Sequence, residues 1–287
     1  MQPFVHLHVH SQYSVLDGQA SVKALVDKAI ANGMRGIALT DHGNMFGIKE
    51  LTDYVNKKNK DVDGEIKNLK KTIEELKSAD AVDQEALSKA ETALKEAESR
   101  IFTPIIGCEM YVADNDMTDR SNKKDIGRHL IVLAKNQHGY HNLIKLVSNA
   151  WTDGYYYHPR TDKKQLEKYH EDLIVCSACL GGEVPKLITA GHIEEAEKSI
   201  LWFKKVFGDD YYLELQRHKA TVARANQEAY PLQQEVNKVL IEMSKKHNIK
   251  LVCTNDVHFV NEEDAEAHDR LIRVFRIFKL FNYLNEG

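Results

Sequence analysis

The stretch Phe4-Val5-His6-Leu7-His8-Val9-His10 places an imidazole at every second position of a short apolar run. Because successive side chains of a strand point to opposite faces, this alternation predicts a β-strand with its histidines on one face. Imidazoles gathered on one face are suited to binding a metal ion. A solvated strand edge or part of a tag would give the same alternation. The apolar partners and the absence of consecutive histidines favour the metal site.

The composition is that of a globular protein with a sizeable core, since 43% of the 287 residues are hydrophobic. A chain of this length fits one large domain such as an α/β barrel. The net charge of −4 provides no global attraction to nucleic acid, so such a partner must be bound through local patches. No apolar run reaches the roughly 20 residues of a membrane span, and no signal peptide is recognisable. We therefore expect a soluble, cytoplasmic protein.

The four cysteines do not form the framework of a secreted, disulfide-rich protein. Only Cys176 and Cys179 have the spacing of a CxxC pair. We expect buried, reduced thiols at Cys108, Cys176 and Cys253, and Cys179 is a candidate metal ligand.

Predicted strands alternate with amphipathic helices along most of the chain, and about seven such strands favour a closed or nearly closed β/α barrel. Ligand-type side chains stand at or just after the ends of these strands, where sites gather in parallel α/β folds. His129 is the exception, because it begins its predicted strand. The candidate ligands are His8, His10, Asp17, His42, Glu109, His129, Cys179, Asp256 and His258.

Residues 53–101 have a different pattern from the rest of the chain. Lys57 to Asp63 is interpreted as a charged linker, and apolar residues then recur at three- and four-residue spacing in two segments. This spacing predicts an antiparallel coiled-coil hairpin over residues 58–101, inserted in a barrel domain of residues 1–270. A docking arm for a protein partner and a solvated hairpin without one both remain open.

Six motifs occur in a characteristic order along the chain: HLHVHS (6–11), VLDG (15–18), TDHGN (40–44), IIGCE (105–109), SACLGGE (177–183) and TNDVH (254–258). Together with the histidine before an apolar strand, they resemble the PHP (polymerase and histidinol phosphatase) domain family, in the version found in bacterial DNA polymerase III alpha subunits. The resemblance extends from about Pro3 to Leu271.

The resemblance implies a distorted (β/α)7 barrel of the PHP type that holds three divalent metal ions, with zinc, manganese or iron as candidates. It assigns the ligands to three groups: His8, His10, Glu109 and Asp256; Glu109, His129 and Cys179; and Asp17, His42 and His258. It also implies catalytic roles for Asp17, Asp256 and His258. Many members of the wider family have aspartate where His6 stands, so His6 is expected to support the site.

The implied activity is metal-dependent phosphoester hydrolysis, and our hypothesis is a 3′-to-5′ exonuclease that proofreads DNA. The implied partners are the 3′ end of a primer strand, the remaining polymerase domains and other replisome subunits. Arg128 and Arg160 are candidate phosphate contacts. Residues 155–157, three tyrosines, either stack on an unpaired base or pack against the barrel rim.

Two other functions remain open: a stand-alone phosphatase that acts on a small monoester, and a structural module in which metals only stabilise the barrel. The segment 271–287 departs from the family's pattern. We interpret it as a tail, a truncated link to polymerase domains or a divergent ending. No polymerase active site is recognisable in these residues.

Overall fold

The computed structural model describes residues 4–79, 83–219 and 229–274, so most of the predicted tail lies outside the described residues. The helices are Val22–Ala31 (α1), Ile48–Lys77 (α2), Gln84–Arg100 (α3), Gln137–Thr152 (α4), Lys163–Lys168 (α5), Glu183–Thr189 (α6), Ile193–Phe207 (α7) and Ala229–His247 (α8). The strands are Gly36–Leu39 (β1), Thr103–Val112 (β2), Arg128–Ala134 (β3), Tyr155–Tyr156 (β4), His158–Thr161 (β5), Leu173–Cys176 (β6), Tyr211–Gln216 (β7) and Lys250–Thr254 (β8).

The strands form a curled sheet in the order β4-β5-β2-β3-β6-β7-β8, and β1 pairs with β2. Most neighbours are parallel, as expected for an α/β fold. Strand β3 runs antiparallel to both β2 and β6, and the short strand β4 runs antiparallel to β5. The prediction of an α/β fold is confirmed, but a uniform succession of parallel βα units is not what the structure has.

The N-terminal segment, residues 4–10, makes isolated backbone pairs with β1 and with the residues after β8 instead of forming a regular strand. His6 pairs with Ile37 of β1, and Val9 pairs with Val257 just after β8. The backbone carbonyls of His6 and Val9 accept hydrogen bonds from Ala38 and Thr40, which are only two residues apart. The segment therefore contains one extra residue relative to β1, as in a β-bulge.

The extra residue changes which way the N-terminal side chains point. Leu7 packs on the inner face of the sheet, and the next residue, His8, also points inward and contacts Glu109. His6 instead lines a cavity beside Leu25 of α1. The prediction that three histidines share one face was therefore wrong for His6, because a bulge interrupts the alternation.

Helices cover the outer face of the sheet, and a smaller apolar cluster fills its inside. The larger core packs β2, β3, β6 and β7 against α4, α6, α7 and α8, and a second core joins the N-terminal segment and β1 to α1 and α2. The inner face carries Ala38, Ile131, Leu133, Cys176 and Ala178. This layering leaves the polar ends of the strands free to form a site.

The first predicted helix has the caps that its sequence indicates. The Ser21 side chain accepts a hydrogen bond from the backbone N–H of Ala24, and the backbone of Gly33 has a φ of +72° just after the helix. Both features are usual helix termini.

Helices α2 and α3 lie side by side, with ion pairs that join Arg100 to Glu65 and Lys77 to Glu91. The predicted linker from Lys57 to Asp63 was wrong, because α2 is one continuous helix of 30 residues. Its first turns are buried against the core, whereas its second half is mostly exposed. Coiled-coil packing of the two helices and their status as an insertion stay predictions. Within the described ranges, no helix combines the length and apolar character needed to cross a membrane.

Candidate metal centre

The predicted ligands converge at one end of the curled sheet. They are contributed by the N-terminal segment (His8, His10), the loop after it (Asp17), the residues after β1 (His42), strands β2 and β3 (Glu109, His129) and the residues after β6 and β8 (Cys179, Asp256, His258). The antiparallel direction of β3 explains the position of His129. The first residues of that strand lie beside the last residues of β2, where His129 pairs with Tyr111.

One group consists of four side chains and includes the buried imidazole of His8. Its Nε2 lies 2.7 Å from Glu109 Oε2 and 3.1 Å from Asp256 Oδ1. His10 Nε2 lies 3.2 Å from the same oxygen of Asp256. One ligand-type atom from each of the four residues lies within 4.8 Å of the others, which is close enough to surround one cation.

The carboxylate of Glu109 joins this group to its neighbours. Its Oε2 faces His8, whereas its Oε1 lies 2.7 Å from His42 Nδ1 and 2.9 Å from His129 Nδ1. Cys179 Sγ lies 3.4 Å from the same nitrogen of His129. Glu109, His129 and Cys179 thus form a second compact group, and a carboxylate with one oxygen in each of two groups is suited to bridging two cations.

The third group is centred on His42 and His258. Asp17 Oδ2 lies 3.2 Å from His42 Nε2 and 3.7 Å from His258 Nε2. The ring of His10 packs between those of His42 and His258, with centroid distances of 4.1 and 4.3 Å, and offers a nitrogen to the same group. His10 therefore borders both the first and the third groups.

Several buried polar atoms in this cluster lack a hydrogen bond of good geometry among the described residues, namely Asp17 Oδ1, and His10 Nε2 and Asp256 Oδ1 despite their separation of 3.2 Å. Leaving such atoms unsatisfied costs about 1–3 kcal/mol each. Divalent cations would satisfy them, since imidazole nitrogens, carboxylate oxygens and a thiolate are the donors that zinc and related metals prefer. The donor set therefore fits a metal centre.

The protonation states of His10 and Glu109 also suit metal binding. Burial and the neighbouring His42 lower the pKa of His10 to about 3, so that its ring is neutral. Burial alone would raise the pKa of Glu109, but His129 and His42 hold it well below its usual value. Burial raises the pKa of the Cys179 thiol, so this residue becomes a thiolate only when a cation displaces its proton.

The side chains behind the ligands were not predicted from the sequence. Glu214 Oε1 lies 2.7 Å from His8 Nδ1, and Ser14 Oγ lies 3.0 Å from His10 Nδ1. The Ser14 hydroxyl in turn donates to Asp41, a buried carboxylate of the TDHGN motif. The available signal for Glu214 was its position between two leucines of a predicted strand.

The two predicted phosphate contacts have different outcomes. Arg160 is completely buried, and its guanidinium donates to the backbone carbonyls of Met117, Asp119 and Asp125. The prediction for Arg160 was wrong, because this side chain holds the loop before β3 instead of facing solvent. Arg128 is partly exposed and paired with Asp114, so its contact with phosphate stays a prediction.

The tyrosine-rich segment, residues 155–157, is linked to the candidate site by Trp151. The Trp151 indole donates to the carbonyl of Gly43, the residue after His42, and the ring of Tyr155 stacks on Trp151 at 5.5 Å. Tyr156 instead lies over the buried guanidinium of Arg160. Packing accounts for Tyr156, whereas stacking of a base on this loop stays a prediction.

Comparison with known proteins gives a consistent family assignment. The model of the PHP domain family matches residues 6–218. The chain is 42% identical over 274 residues to the DNA polymerase III subunit alpha of Borreliella burgdorferi and 38% identical over 273 residues to that of Treponema pallidum. Each match covers 94% of this chain but only 19% of the relative.

Among solved structures, an amidohydrolase from Chromobacterium violaceum with bound sulfate and no metal matches 90% of this chain and 88% of its own. It is 12% identical and has a TM-score of 0.47, a likeness too low to support a conclusion about this chain.

Proposed function

The chain belongs to the PHP domain family, and from this membership we propose that it is a metal-dependent phosphoesterase domain of a DNA polymerase III alpha subunit. Its proposed reaction is 3′-to-5′ exonucleolytic removal of a terminal nucleotide from DNA. We further propose the distorted barrel of the family as its architecture, with residues 58–101 as an inserted coiled-coil hairpin.

The observation that supports this proposal is the convergence of side chains from six separate parts of the chain around Glu109. A structural zinc site needs only four protein ligands and has no open coordination position. A shared carboxylate at the centre of three adjoining groups is instead typical of multinuclear hydrolytic sites. Divalent cations in such sites stabilise negative charge on phosphate oxygens and allow water to attack at neutral pH.

We propose the ligand groups that the family implies, with one adjustment for the third. Glu109 would be shared by the first two groups. Asp17, His42 and His258 would form the third, with His10 at its border because its ring lies between the two histidines. Zinc, manganese and iron all accept this donor set.

The residues that face outward are the proposed contacts with substrate. Asp17 is the most exposed carboxylate of the cluster, with 30% of its side chain accessible. His258 Nδ1 donates to the backbone carbonyl of Asp256, which directs its Nε2 towards Asp17. We propose that Asp17 and His258 orient the attacking water and handle its proton, and that Asp256 fixes the first group.

The decisive experiment combines metal analysis with two substrates. The protein would be assayed on a mismatched primer terminus and on nitrophenyl phosphate, as wild type, after chelation and as Asp256→Asn. Asp162→Asn is the matched control, because Asp162 is a buried carboxylate that caps α5 away from the cluster. Loss of DNA trimming after chelation and in Asp256→Asn, but not in the control, supports the proposal.

Two outcomes would contradict this proposal in different ways. Cleavage of the monoester alone would identify a small-molecule phosphatase. Metal-loaded protein that is inert on both substrates would identify a structural module. We propose a cytoplasmic setting in which the remaining polymerase domains and DNA are the partners, with α2 and α3 available to a further protein.

A further inference from the structure

Glu214 has a contact with His8 that the three ligand groups do not explain. It lies on β7, where Tyr211 and Leu213 pack outward against the helices and Glu214 points inward. Its side chain is completely inaccessible to solvent, and its Oε1 lies 2.7 Å from His8 Nδ1. The other ring nitrogen, Nε2, is the one that faces Glu109 and Asp256.

The Glu214 carboxylate is itself held in place by two neighbours. Thr254 Oγ1, from the adjacent strand β8, donates to Oε1, and Gln216 Nε2 donates to the same oxygen at 2.9 Å. The backbone N–H of Glu214 donates to Ser177 Oγ at 2.8 Å. The position of the oxygen behind His8 is therefore determined by β7, β8 and the residue that follows β6.

This contact determines which nitrogen of His8 can bind a cation. An ionised carboxylate only accepts hydrogen bonds, so His8 Nδ1 carries a hydrogen and Nε2 is the ring nitrogen that a cation can take. Nε2 is the atom directed at the oxygens of Glu109 and Asp256. Carboxylates behind metal-binding histidines fix the tautomer and increase the basicity of the ligating nitrogen.

We propose that Glu214 is a positioning residue that holds His8 with Nε2 available as a metal ligand. Gln216 and Thr254 hold the Glu214 carboxylate in this position. This inference rests on the proposed metal-dependent function and deepens it. Glu214 touches no substrate in this arrangement, so its effect must pass through the affinity for metal and the tautomer of His8.

The test uses Glu214→Gln in the full chain, because glutamine keeps the shape but removes the charge and supplies an N–H. That N–H can donate to His8 Nδ1 and so favour the tautomer whose Nε2 carries hydrogen. We expect 10–100-fold weaker binding of the tightest zinc ion in a chelator-competition titration.

Asp162→Asn serves as the matched control, because it neutralises another buried carboxylate without touching the cluster. Similar unfolding temperatures for the two variants, with weaker zinc binding only in Glu214→Gln, would support the proposal. Wild-type affinity in Glu214→Gln, or an equal loss in both variants, would overturn it, as would a wild type that binds no metal. Wild-type protein that binds zinc but hydrolyses no phosphoester contradicts the proposed function alone, and the affinity comparison still decides the role of Glu214.

Discussion

Glu109 Oε1 lies 2.9 Å from His129 Nδ1, although Glu109 lies within β2 and His129 is the second residue of β3. The contact exists because the two strands are antiparallel, with His129 opposite Tyr111, two residues beyond Glu109. Side chains two apart share a face, so both residues point into the same end of the sheet. One carboxylate can therefore serve histidines that are far apart in the sequence.

Glu109→Gln should remove most of the bound metal, because Glu109 contacts histidines of all three groups. The neutral amide keeps the shape of the side chain but has no negative charge to stabilise the cations of the adjoining groups. We expect phosphoester hydrolysis to fall by at least about 100-fold, beyond the effect of losing an outer partner of a ligand. Metal analysis and hydrolysis assays would measure it. Glu197→Gln, whose carboxylate pairs with Lys246 outside the cluster, should keep both properties. Full metal content in Glu109→Gln would contradict the proposed bridge.

Chelation should lower the unfolding temperature of the wild type. A cation that binds only the native state at 100 times its dissociation constant adds about 2.7 kcal/mol to the free energy of unfolding. For a domain of this size, each kcal/mol shifts the melting temperature by about 2–4 °C, so we expect a decrease of roughly 5–11 °C. Calorimetry with and without chelator would measure it. Glu109→Gln should show little of this difference, and equal melting temperatures of loaded and chelated wild type would argue against a resident metal.

The metal-free protein should lose stability as the pH rises above neutrality. Burial alone would lower the pKa of His42, but Glu109 and Asp17 raise it to about 10. A histidine whose pKa is raised on folding contributes stability that is complete below its unfolded pKa of about 6.5 and is lost as the pH rises through 10. Urea unfolding of chelated protein between pH 6 and 10 would show this loss. His42→Gln should flatten the slope, whereas His138→Gln, which changes an exposed histidine, should not. Parallel curves for wild type and His42→Gln would refute the assignment.

The sequence predicted which side chains come together because they obey a local rule, namely that polar side chains follow apolar strands. His42, Cys179 and Asp256 each stand just after a strand, as periodicity indicates. The position of His129 was an exception until strand direction was known, and a hydrophobic pattern contains no information on direction. His6 was misplaced because a single extra residue reverses the alternation, and that residue is defined only by pairing with β1.

Other errors came from charges whose surroundings are distant in sequence. Arg160 is an apparent phosphate contact by residue type, but its partners belong to the loop before β3. The polar run from Lys57 to Asp63 has the composition of a linker, yet it is helical because α2 is anchored at one end by the core and alongside by α3. The local sequence pattern indicates neither the partners of Arg160 nor the contacts that keep residues 57–63 helical.

Arg160→Met should destabilise the fold without a direct effect on the affinity for phosphate. Three backbone carbonyls would lose their donor inside the protein, and we expect a cost of roughly 3–5 kcal/mol in urea unfolding. Arg128→Gln changes a half-exposed pair and should cost less than about 1 kcal/mol. If Arg160→Met is as stable as Arg128→Gln but has a higher KM for a phosphoester, Arg160 reaches substrate after all.

Asn59 of α2 makes two hydrogen bonds to the backbone of Phe102, the residue just before β2. Its side chain accepts a hydrogen bond from the backbone N–H of Phe102 and donates one to the Phe102 carbonyl, both in a buried position. Asn59→Ala would leave two buried backbone groups unsatisfied, so we expect urea unfolding to show a loss of about 2–4 kcal/mol. Lys77→Ala, which removes an exposed pair with Glu91, should cost less than about 1 kcal/mol. Metal content should stay unchanged in both variants, because neither residue contacts the cluster. Equal losses would mean that contacts along the whole length of α2 and α3 hold them in place, and not the single attachment at Asn59.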